Sequence, residues 1–293
     1  MAPEAGRGRA NGKAAPGTMI IAQITDTHLA DADAADPVFR ARAENLRACV
    51  ADINGLDPKP DAVIHTGDMT QHGQAAEFAH ARALLAALEV PLYVIPGNRD
   101  GREGMARAFA GDGYMTPDGA FVHYAVEEHP VRLVAVDSLA ADGGAKGDFC
   151  HARLAALDAT LAEAPARPTA LFMHHPPFDV PAAPDPFAYL RRRAVAELAA
   201  VVSGHPQVVR IFTGHMHRPW TAWVGGVAAS TVPSVAADLR KGRYAPAMAG
   251  RPVYQVHRFE ADWGFASETR LAGPPVSRDR RNIRAGSSPP QVG

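Results

Sequence analysis

The sequence predicts an α/β fold in which two mixed sheets pack face to face and helices cover the outside. Two observations lead to this prediction. Apolar runs of strand length alternate with helical patterns along the first third of the chain, and four strand-like runs near the end leave no room for crossover helices. With 293 residues, 47% of them hydrophobic, the chain is long enough for one large domain or two small ones.

The first third of the chain follows a strand–helix–strand order. Short apolar runs closed by polar residues predict strands 19–24, 62–66 and 92–95. Apolar residues at helical spacing predict helices 38–54 and 75–88 between these strands. Because a strand–helix–strand step joins parallel strands, this part should form a largely parallel sheet.

The remaining part repeats the theme less regularly. The sequence predicts a hairpin from strands 121–126 and 131–136, then helix 150–162, strand 169–173, helix 189–202 and strand 208–212. The last predicted strands are 221–224, 227–231, 253–259 and 265–271. Since no helix fits between these four strands, we expect them to be antiparallel, and two packed sheets suit this order better than one wide sheet.

The two ends of the chain differ in composition from the middle. Residues 1–17 are rich in Ala, Gly, Pro and Arg and contain no apolar stretch of signal-peptide length, so we expect a disordered leader. Residues 273–293 have the composition of a flexible, solvated tail, which leaves 18–272 as the folded domain. No apolar run approaches the ~20 residues that a membrane-spanning helix needs, so we expect a soluble protein without a membrane partner.

Charge and cysteine content exclude several classes of function. The 30 Lys+Arg residues balance 31 Asp+Glu residues, and the formal charge of -1 gives no reason to expect a nucleic-acid polymer as partner. Cys49 and Cys150, the two cysteines, form neither a disulfide framework nor a four-thiolate zinc site, and they suit the cytoplasm. The 13 histidines remain to be explained as metal ligands, proton carriers or surface residues.

Side chains of the types that bind metal ions follow five of the predicted strands. In open α/β sheets a ligand binds beyond the carboxyl ends of the strands, so sequence-distant residues at these ends are expected to meet. One such residue often caps a helix or bonds to the backbone, but that explanation does not suit seven of them in series. They are Asp26, His28, Asp68, Asn98, His174, His215 and His217.

The chemistry of these side chains indicates which ions they bind. Carboxylate, imidazole and amide groups suit Mn, Fe, Zn or Co ions, and the absence of thiolates argues against a structural zinc site. In Asp26-x-His28 and His215-x-His217, residues two apart would share one face of an extended segment. Seven ligands exceed the need of one ion, so we infer two ions bridged by a carboxylate. Asp68 is the natural bridge because it is the one carboxylate that stands alone at a strand end.

The same residues lie in five blocks that resemble those of the calcineurin-like metallophosphoesterases, over about residues 19–271. The His-His-Pro-Pro and Gly-His-Met-His blocks are most similar to those of the class III cyclic-nucleotide phosphodiesterases and glycerophosphodiesterases. The resemblance implies a four-layer α-β-β-α sandwich. The blocks are Asp26-Thr27-His28, Gly67-Asp68, Gly97-Asn98-Arg99-Asp100, His174-His175-Pro176-Pro177 and Gly214-His215-Met216-His217.

The resemblance also implies how the ligands divide between two divalent or trivalent ions of Mn, Fe, Zn or Co. Asp68 belongs to both sets, in agreement with the bridge inferred from the residue types. The residues implied for the first ion are Asp26, His28, Asp68 and His217. The residues implied for the second ion are Asp68, Asn98, His174 and His215.

One position departs from the usual pattern of the family. Most members have a histidine after the Asn of the Gly-Asn block, thought to contact the phosphate and protonate the leaving oxygen, whereas this chain has Arg99. A guanidinium keeps its protons at neutral pH but binds phosphate oxygens well, so we expect Asn98 and Arg99 to stabilise charge on the phosphate. The alternative is that Arg99 pairs with Asp100 or Glu103 as a scaffold element.

Two histidines outside the ligand set are candidates for the proton transfer that Arg99 cannot perform. His72 lies in the loop after Asp68 and could reach the phosphate, although a surface position is the default for a loop histidine. His175 follows His174 and points the other way on an extended chain, so we expect it to support the ligands rather than to bind metal. Water is the remaining proton source.

Together these observations predict a dinuclear metal-dependent phosphodiesterase in which a metal-bridging hydroxide attacks a small phosphodiester. The resemblance implies cyclic-nucleotide-type, aryl or glycerophosphodiester substrates, with a preference for aryl esters if no protein group protonates the leaving oxygen. A Gly-Asn-Arg-Asp block recurs in the UDP-sugar pyrophosphatases of the lipid A pathway, which makes such a hydrolase the alternative. A non-catalytic metal-binding scaffold is the third interpretation, and homo-oligomerisation is left open.

Overall fold

The computed structural model of the chain describes residues 17–115 and 121–273. The predicted leader and tail lie outside the described residues, apart from Gly17 and Gly273 at their inner ends. The helices and strands in chain order are β1 (Thr18–Ile24), α1 (Pro37–Asn54), β2 (Ala62–His65), α2 (Ala75–Leu85), β3 (Leu92–Val94), α3 (Arg102–Phe109), β4 (Tyr124–Val126), β5 (Arg132–Ala135), α4 (His151–Ala162), β6 (Thr169–Phe172), α5 (Arg192–Ser203), β7 (Val208–Thr213), β8 (Trp220–Val224), β9 (Val227–Thr231), β10 (Val253–Glu260) and β11 (Gly264–Leu271).

The first sheet has the strand order β11-β10-β1-β2-β3. Strands β1, β2 and β3 are parallel, with Gln23 opposite Ile64 and His65 opposite Val94. Strand β10 returns from the end of the domain and pairs antiparallel with β1 on one side and with β11 on the other. The carboxyl ends of the three parallel strands therefore point to one edge of the sheet.

The second sheet has the strand order β4-β5-β6-β7-β9-β8. Strands β5, β6, β7 and β9 are parallel, and the outer strands β4 and β8 pair antiparallel with their neighbours. The β4–β5 pair is the hairpin that the sequence predicts. Three of the four predicted histidine ligands, His174, His215 and His217, follow the parallel strands β6 and β7.

The two sheets are the inner layers of a four-layer α-β-β-α sandwich. On β5, Leu133 packs into the cluster that also contains residues of the first sheet, whereas Val134 packs into a cluster with residues of α4 and α5. Neighbouring residues thus face opposite layers, as the pleat of a strand requires. The fold class predicted from the sequence is confirmed.

Local sequence signals define where the first two helices begin. The carboxylate of Asp36 accepts a hydrogen bond from the N–H of Val38 at 2.9 Å, and Pro37 occupies the first turn of α1. Helix α2 begins with a capping box formed by Gln74 and Glu77. No helix in the described ranges is both long and apolar enough to cross a bilayer.

The structure differs from the predicted element order in three details. The last four strands pair antiparallel as expected, β8 with β9 and β10 with β11, but the two pairs lie in different sheets, and β9 is also parallel to β7 because β8 takes the edge position, where Trp223 is exposed. Helix α3 was not predicted, since its 8 residues are too few for a clear helical pattern. Helix α5 begins at Arg192 rather than at residue 189, because Tyr189 forms an isolated β-bridge with Gly147.

Candidate metal centre

The seven predicted ligands lie together at the carboxyl ends of parallel strands from both sheets. Those that follow β1, β2 and β3 come from the first sheet, and those that follow β6 and β7 come from the second. The strand ends thus bring together residues that are far apart in the sequence. The ligands are Asp26 and His28 after β1, Asp68 after β2, Asn98 after β3, His174 after β6, and His215 and His217 after β7.

The first group of donor atoms belongs to Asp26, His28, Asp68 and His217, whose ligand atoms all lie within 4.8 Å of one another. Nε2 of His217 is 3.2 Å from Oδ1 of Asp26 and 3.3 Å from Nε2 of His28. Nε2 of His28 is 3.5 Å from Oδ2 of Asp68. Ring nitrogens and carboxylate oxygens from three strand ends therefore converge on one point.

The second group of donor atoms surrounds the amide of Asn98. Its Oδ1 is 3.2 Å from Nε2 of His174 and 3.1 Å from Nδ1 of His215. Nε2 of His174 is also 3.5 Å from Oδ1 of Asp68. Since Asp68 presents Oδ2 to the first group and Oδ1 to the second, its carboxylate lies between the two groups.

The backbone at these ligands has an uncommon conformation. Among the described residues, the non-glycine residues with positive φ are five of the ligands, with φ between 46° and 67°. The left-handed region costs an L-residue about 1–2 kcal/mol, and such strain is concentrated at functional sites. The extended backbone expected for Asp26-x-His28 and His215-x-His217 was therefore wrong. The five residues are Asp26, His28, Asp68, His215 and His217.

Glycines before the ligands allow the loops to approach one another. A Cβ added to Gly97 would lie 2.3 Å from Oδ1 of Asp68, and one added to Gly214 would lie 2.1 Å from Oγ1 of Thr25. Neither position has room for a side chain. The glycines of the Gly-Asn and Gly-His blocks are thus required for the close packing of the strand ends.

Two of the histidines are oriented by a hydrogen bond from the ring nitrogen that faces away from the other donor atoms. Nδ1–H of His174 donates to the carbonyl of Thr66 at 2.8 Å, and Nδ1–H of His217 donates to the carbonyl of Leu239 at 3.2 Å. These bonds leave Nε2 of both rings as the atom that faces the donor groups. The role of Leu239 could not be found from the sequence, because a backbone carbonyl in a loop carries no residue-type signal.

Burial and neighbouring charges set the protonation of the ligands. Burial lowers the pKa of His28 and of His215 to about 3, so both rings are neutral at neutral pH, as metal binding requires. Burial opposes ionisation of Asp26, but the charges of nearby histidines, His217 first, outweigh it and lower the pKa of this carboxyl. Burial likewise opposes protonation of His217, and the charge of Asp26 outweighs it and raises the pKa of the ring.

The hydrogen bonds of the Asp26 carboxylate indicate whether these residues suit a cation. Its Oδ2 accepts hydrogen bonds from Oγ1–H of Thr25 at 2.8 Å and from the backbone N–H of His215 at 3.0 Å. Its Oδ1 is buried and makes no hydrogen bond with the described residues, although Nε2 of His217 lies 3.2 Å away. A buried carboxylate oxygen that a ring nitrogen faces without a hydrogen bond is unfavourable unless a cation contacts it. The donor set therefore fits metal ions.

His175 lies next to the second group, but its hydrogen bonds point elsewhere. A ring nitrogen of His175 is within 4.8 Å of those of His174 and His215. However, its Nδ1 bonds to Oγ of Ser138 at 2.9 Å and its Nε2 lies 3.2 Å from the carbonyl of Ala145. Burial lowers the pKa of His175 well below its ordinary value. A buried, neutral ring without a free nitrogen does not support the candidate role in proton transfer.

A cleft of about 680 Å³ opens beside the second donor group. Its lining includes His72, Asn98 and Arg99, and we name it the Arg99 cleft. The side chain of His72 is 55% exposed there. Because Asn98 lines the cleft and also contacts both histidines of the second group, the cleft offers a substrate direct access to the donor atoms.

Arg99 is exposed, and its guanidinium makes no hydrogen bond or ion pair with the described part of the chain. The alternative pairings are not observed, because Asp100 is bonded to backbone groups and Glu103 pairs with Arg107 at 3.5 Å. The charge of Arg99 is therefore available to an anion in the cleft.

Asp100 joins the loops after β2 and β3, and sequence reasoning missed this role. Its Oδ1 accepts from the N–H of Thr70 at 2.8 Å, and its Oδ2 accepts from Gly97 at 2.9 Å and from Met69 at 3.1 Å. Burial and the charge of Asp68 raise the pKa of Asp100 to about 6. The position of Asp100 in the Gly-Asn-Arg-Asp block is the signal that could have identified it.

The family of this chain follows from comparison with known proteins. Residues 19–219 match the family described as calcineurin-like phosphoesterase. The chain belongs to this family. Membership confirms the resemblance drawn from the five blocks and places the chain among metal-binding hydrolases.

Two relatives match this chain in sequence, and one solved structure shares its fold. A probable glycerophosphodiester phosphodiesterase from Arcobacter nitrofigilis is 32% identical over 263 residues, which are 87% of this chain and 94% of the relative. A probable cyclic nucleotide phosphodiesterase from Rhodopseudomonas palustris is 34% identical over 255 residues, 82% of this chain and 88% of the relative. A dimetal phosphatase from Danio rerio shares the fold, with a TM-score of 0.61, 16% identity and coverage of 88% of this chain and 100% of the other.

Proposed function

We propose that this phosphoesterase hydrolyses small phosphodiesters with two metal ions. The observation that carries the proposal is the shared carboxylate of Asp68, whose two oxygens lie 3.5 Å from His28 and 3.5 Å from His174. A carboxylate between two groups of imidazoles suits a pair of cations. The phosphodiesterase names of the relatives from Arcobacter and Rhodopseudomonas agree with this class of reaction.

The metal ions and the chain have separate tasks in the proposed reaction. When bound, the ions polarise the phosphate and make water a nucleophile at neutral pH. Asp26, His28, Asp68 and His217 would hold the first ion, and Asp68, Asn98, His174 and His215 the second.

The cleft side of the centre contributes the charge that stabilises the reacting phosphate. The amide of Asn98 and the free guanidinium of Arg99 lie next to each other in the Arg99 cleft. As water attacks phosphorus, both groups would donate hydrogen bonds to phosphate oxygens that gain negative charge. The guanidinium cannot supply a proton to the leaving oxygen, so it acts on the phosphate alone.

A small phosphodiester is the substrate class that suits the cleft. Its volume of about 680 Å³ is in the range of pockets for small molecules. We propose glycerophosphodiesters, cyclic nucleotides and aryl phosphodiesters as the first compounds to test. The alternative is the diphosphate of a UDP-sugar, and the free charge of Arg99 favours it, because a diphosphate carries more charge and its leaving phosphate needs no proton.

The test is a metal-reconstituted assay over a panel of these substrates. We expect turnover of bis-p-nitrophenyl phosphate and of at least one glycerophosphodiester or cyclic nucleotide, and none of a UDP-diacylated sugar. Turnover of the UDP-sugar alone would replace the proposal by the alternative. Absence of turnover in a protein that binds no stoichiometric metal would identify a scaffold and contradict both.

A further inference from the structure

Hydrolysis of an alkyl phosphodiester needs a proton donor that Arg99 cannot be. The alkoxide oxygen must take up a proton as it leaves phosphorus, and a guanidinium keeps its protons at neutral pH. Among the described residues that line the Arg99 cleft, the single histidine is His72. Asp100 also lines the cleft, but both oxygens of its carboxylate accept hydrogen bonds from buried backbone groups.

The ring of His72 is held by a buried carboxylate. Its Nδ1 bonds to Oε1 of Glu77 at 2.8 Å, and its backbone N–H donates to Oε2 of the same residue at 2.8 Å. The side chain of Glu77 is 3% exposed, whereas that of His72 is 55% exposed. Because Nδ1 faces an acceptor, the ring carries a proton on Nδ1, and Nε2 is the nitrogen left for a substrate.

The loop of His72 is fixed against the loop of Arg99. Oγ1 of Thr70 donates to Oδ1 of Asp100 at 2.7 Å and accepts from the N–H of Gly73 at 3.1 Å. The backbones are in direct contact, because a Cβ added to Gly73 would lie 3.0 Å from the carbonyl oxygen of Arg99 and 2.7 Å from that of Asp100. The loops that carry the imidazole of His72 and the guanidinium of Arg99 are therefore held against each other at one cleft.

We propose that Nε2 of His72 protonates the leaving oxygen and that Glu77 positions the ring for this transfer. The inference rests on the proposed phosphodiesterase function. As the bond from the water oxygen to phosphorus forms, the bond to the leaving oxygen breaks and this oxygen takes the Nε2 proton of the imidazolium, which yields an alcohol and a phosphomonoester. The attacking water loses a proton to solvent, and solvent reprotonates His72.

Two residues would then share the work for which most family members have one histidine. Arg99 binds the phosphate and His72 serves the leaving oxygen. Loss of the two side chains should therefore have different signatures. A defect at Arg99 affects every ester, whereas a defect at His72 affects esters in proportion to the basicity of the leaving group.

The most informative variant is Glu77→Gln. Its amide oxygen can still accept from the backbone N–H groups of His72 and Gln74, so the capping box of α2 is kept. Its amide NH₂ group then faces Nδ1, which must become an acceptor. We expect kcat/KM for a glycerophosphodiester to fall about 10- to 100-fold and that for bis-p-nitrophenyl phosphate to change less than about threefold, because nitrophenolate leaves without a proton.

Further variants separate catalysis from folding. His72→Gln should give the same pattern, with a loss of about 100-fold or more on the glycerophosphodiester. Outside the lining of the Arg99 cleft, His205 in the loop after α5 and Asp158 on α4 form another imidazole–carboxylate pair at 2.8 Å, so His205→Gln and Asp158→Asn are matched controls. Both controls should leave the rates for the two esters unchanged.

A second readout is independent of turnover. In ¹⁵N NMR spectra of the zinc-loaded protein, the ring of His72 should carry its proton on Nδ1 in the wild type and on Nε2 in Glu77→Gln. This shift of tautomer, together with the selective loss on the glycerophosphodiester, supports the proposal. Equal losses on both esters, or an unchanged tautomer, would overturn it, whereas a wild-type holoenzyme that cleaves neither ester would contradict the proposed function itself.

Discussion

The metal centre and the Arg99 cleft differ in how strongly the fold constrains them. At the centre, Asp26 and His174 are completely buried, and the backbone of five ligands is in the left-handed region. In the cleft, Arg99 is exposed without a partner in the described ranges, and the side chain of His72 is 55% exposed. The fold thus accepts strain to place the ligands and leaves the cleft residues open to solvent.

This difference suggests that the two regions determine different properties of the enzyme. In the proposed reaction, the buried centre would set the class of reaction, because its donor set suits cations. The cleft would set which ester is cleaved, because its residues would meet the phosphate and the leaving group. Substitutions at the centre should therefore affect all substrates, and substitutions in the cleft should separate one step or substrate from another.

The largest effect should follow from Asp68→Asn at the centre. The amide oxygen can still accept the backbone N–H of Arg99, which Oδ1 of Asp68 accepts at 2.8 Å, but the NH₂ group cannot bind a cation. Loss of a residue that hydrogen-bonds to a metal ligand reduces activity about 10- to 100-fold. Loss of a ligand shared by two ions should therefore reduce kcat/KM more than about 100-fold for every ester. The checks are kcat/KM and elemental analysis, with the exposed Asp158→Asn as control. Wild-type rates in Asp68→Asn would show that the centre is not where the reaction occurs.

A smaller and uniform effect should follow from Arg99→Ala in the cleft. Removal of one hydrogen-bond donor to a developing oxyanion lowers kcat about 10²–10³-fold. Because Arg99 is exposed to solvent, we expect a smaller loss, about 10- to 100-fold, for aryl and glycerol esters alike. The metal content should stay at the wild-type value. A loss confined to the glycerol ester would instead assign Arg99 to the leaving group and remove the division of work with His72.

The smallest effect concerns the strain at the centre and is measured on the metal-free protein. His28 has a φ of 46° and a buried Nδ1 without a partner among the described residues, whereas His257, which is also buried, bonds to Gln23 at 3.0 Å and to Ser267 at 2.8 Å. Asn tolerates the left-handed region, so His28→Asn should change the free energy of unfolding by less than about 1 kcal/mol.

The matched substitution His257→Asn should be more damaging. It removes two hydrogen bonds from a buried polar cluster, which costs about 1–3 kcal/mol. Urea unfolding of both metal-free variants compares the two positions directly. If His28→Asn is as damaging as His257→Asn, the ligand positions are not strained, and the contrast between centre and cleft rests on burial alone.

Much of the fold could be predicted because its signals are local. Apolar strand-length runs and helix caps such as Asp36 lie within a few residues of the elements that they define. The pairing of β9 with β7 could not be predicted in this way, because it depends on which strand is better buried in the assembled sheet. Strand order in an edge region is a tertiary property.

The same distinction between local signals and tertiary contacts applies to the candidate site. The meeting of the seven candidate ligands could be predicted because carboxylate, imidazole and amide residues at strand ends are visible in the sequence. The left-handed backbone of residues such as His28 could not be predicted, since only a few per cent of non-glycine residues adopt it. The partners of the site, such as the carbonyl of Leu239 and the carboxylate of Glu77, act through contacts that only the folded chain creates.

The shared role of Asp68 is the central claim, and anomalous X-ray scattering from Mn²⁺-loaded crystals tests it most directly. We expect two anomalous peaks about 3.5–4 Å apart, each next to one carboxylate oxygen of Asp68. The first peak should also contact His28, and the second His174. A single peak, or two peaks of which only one contacts Asp68, would contradict the account of a bridged two-metal centre.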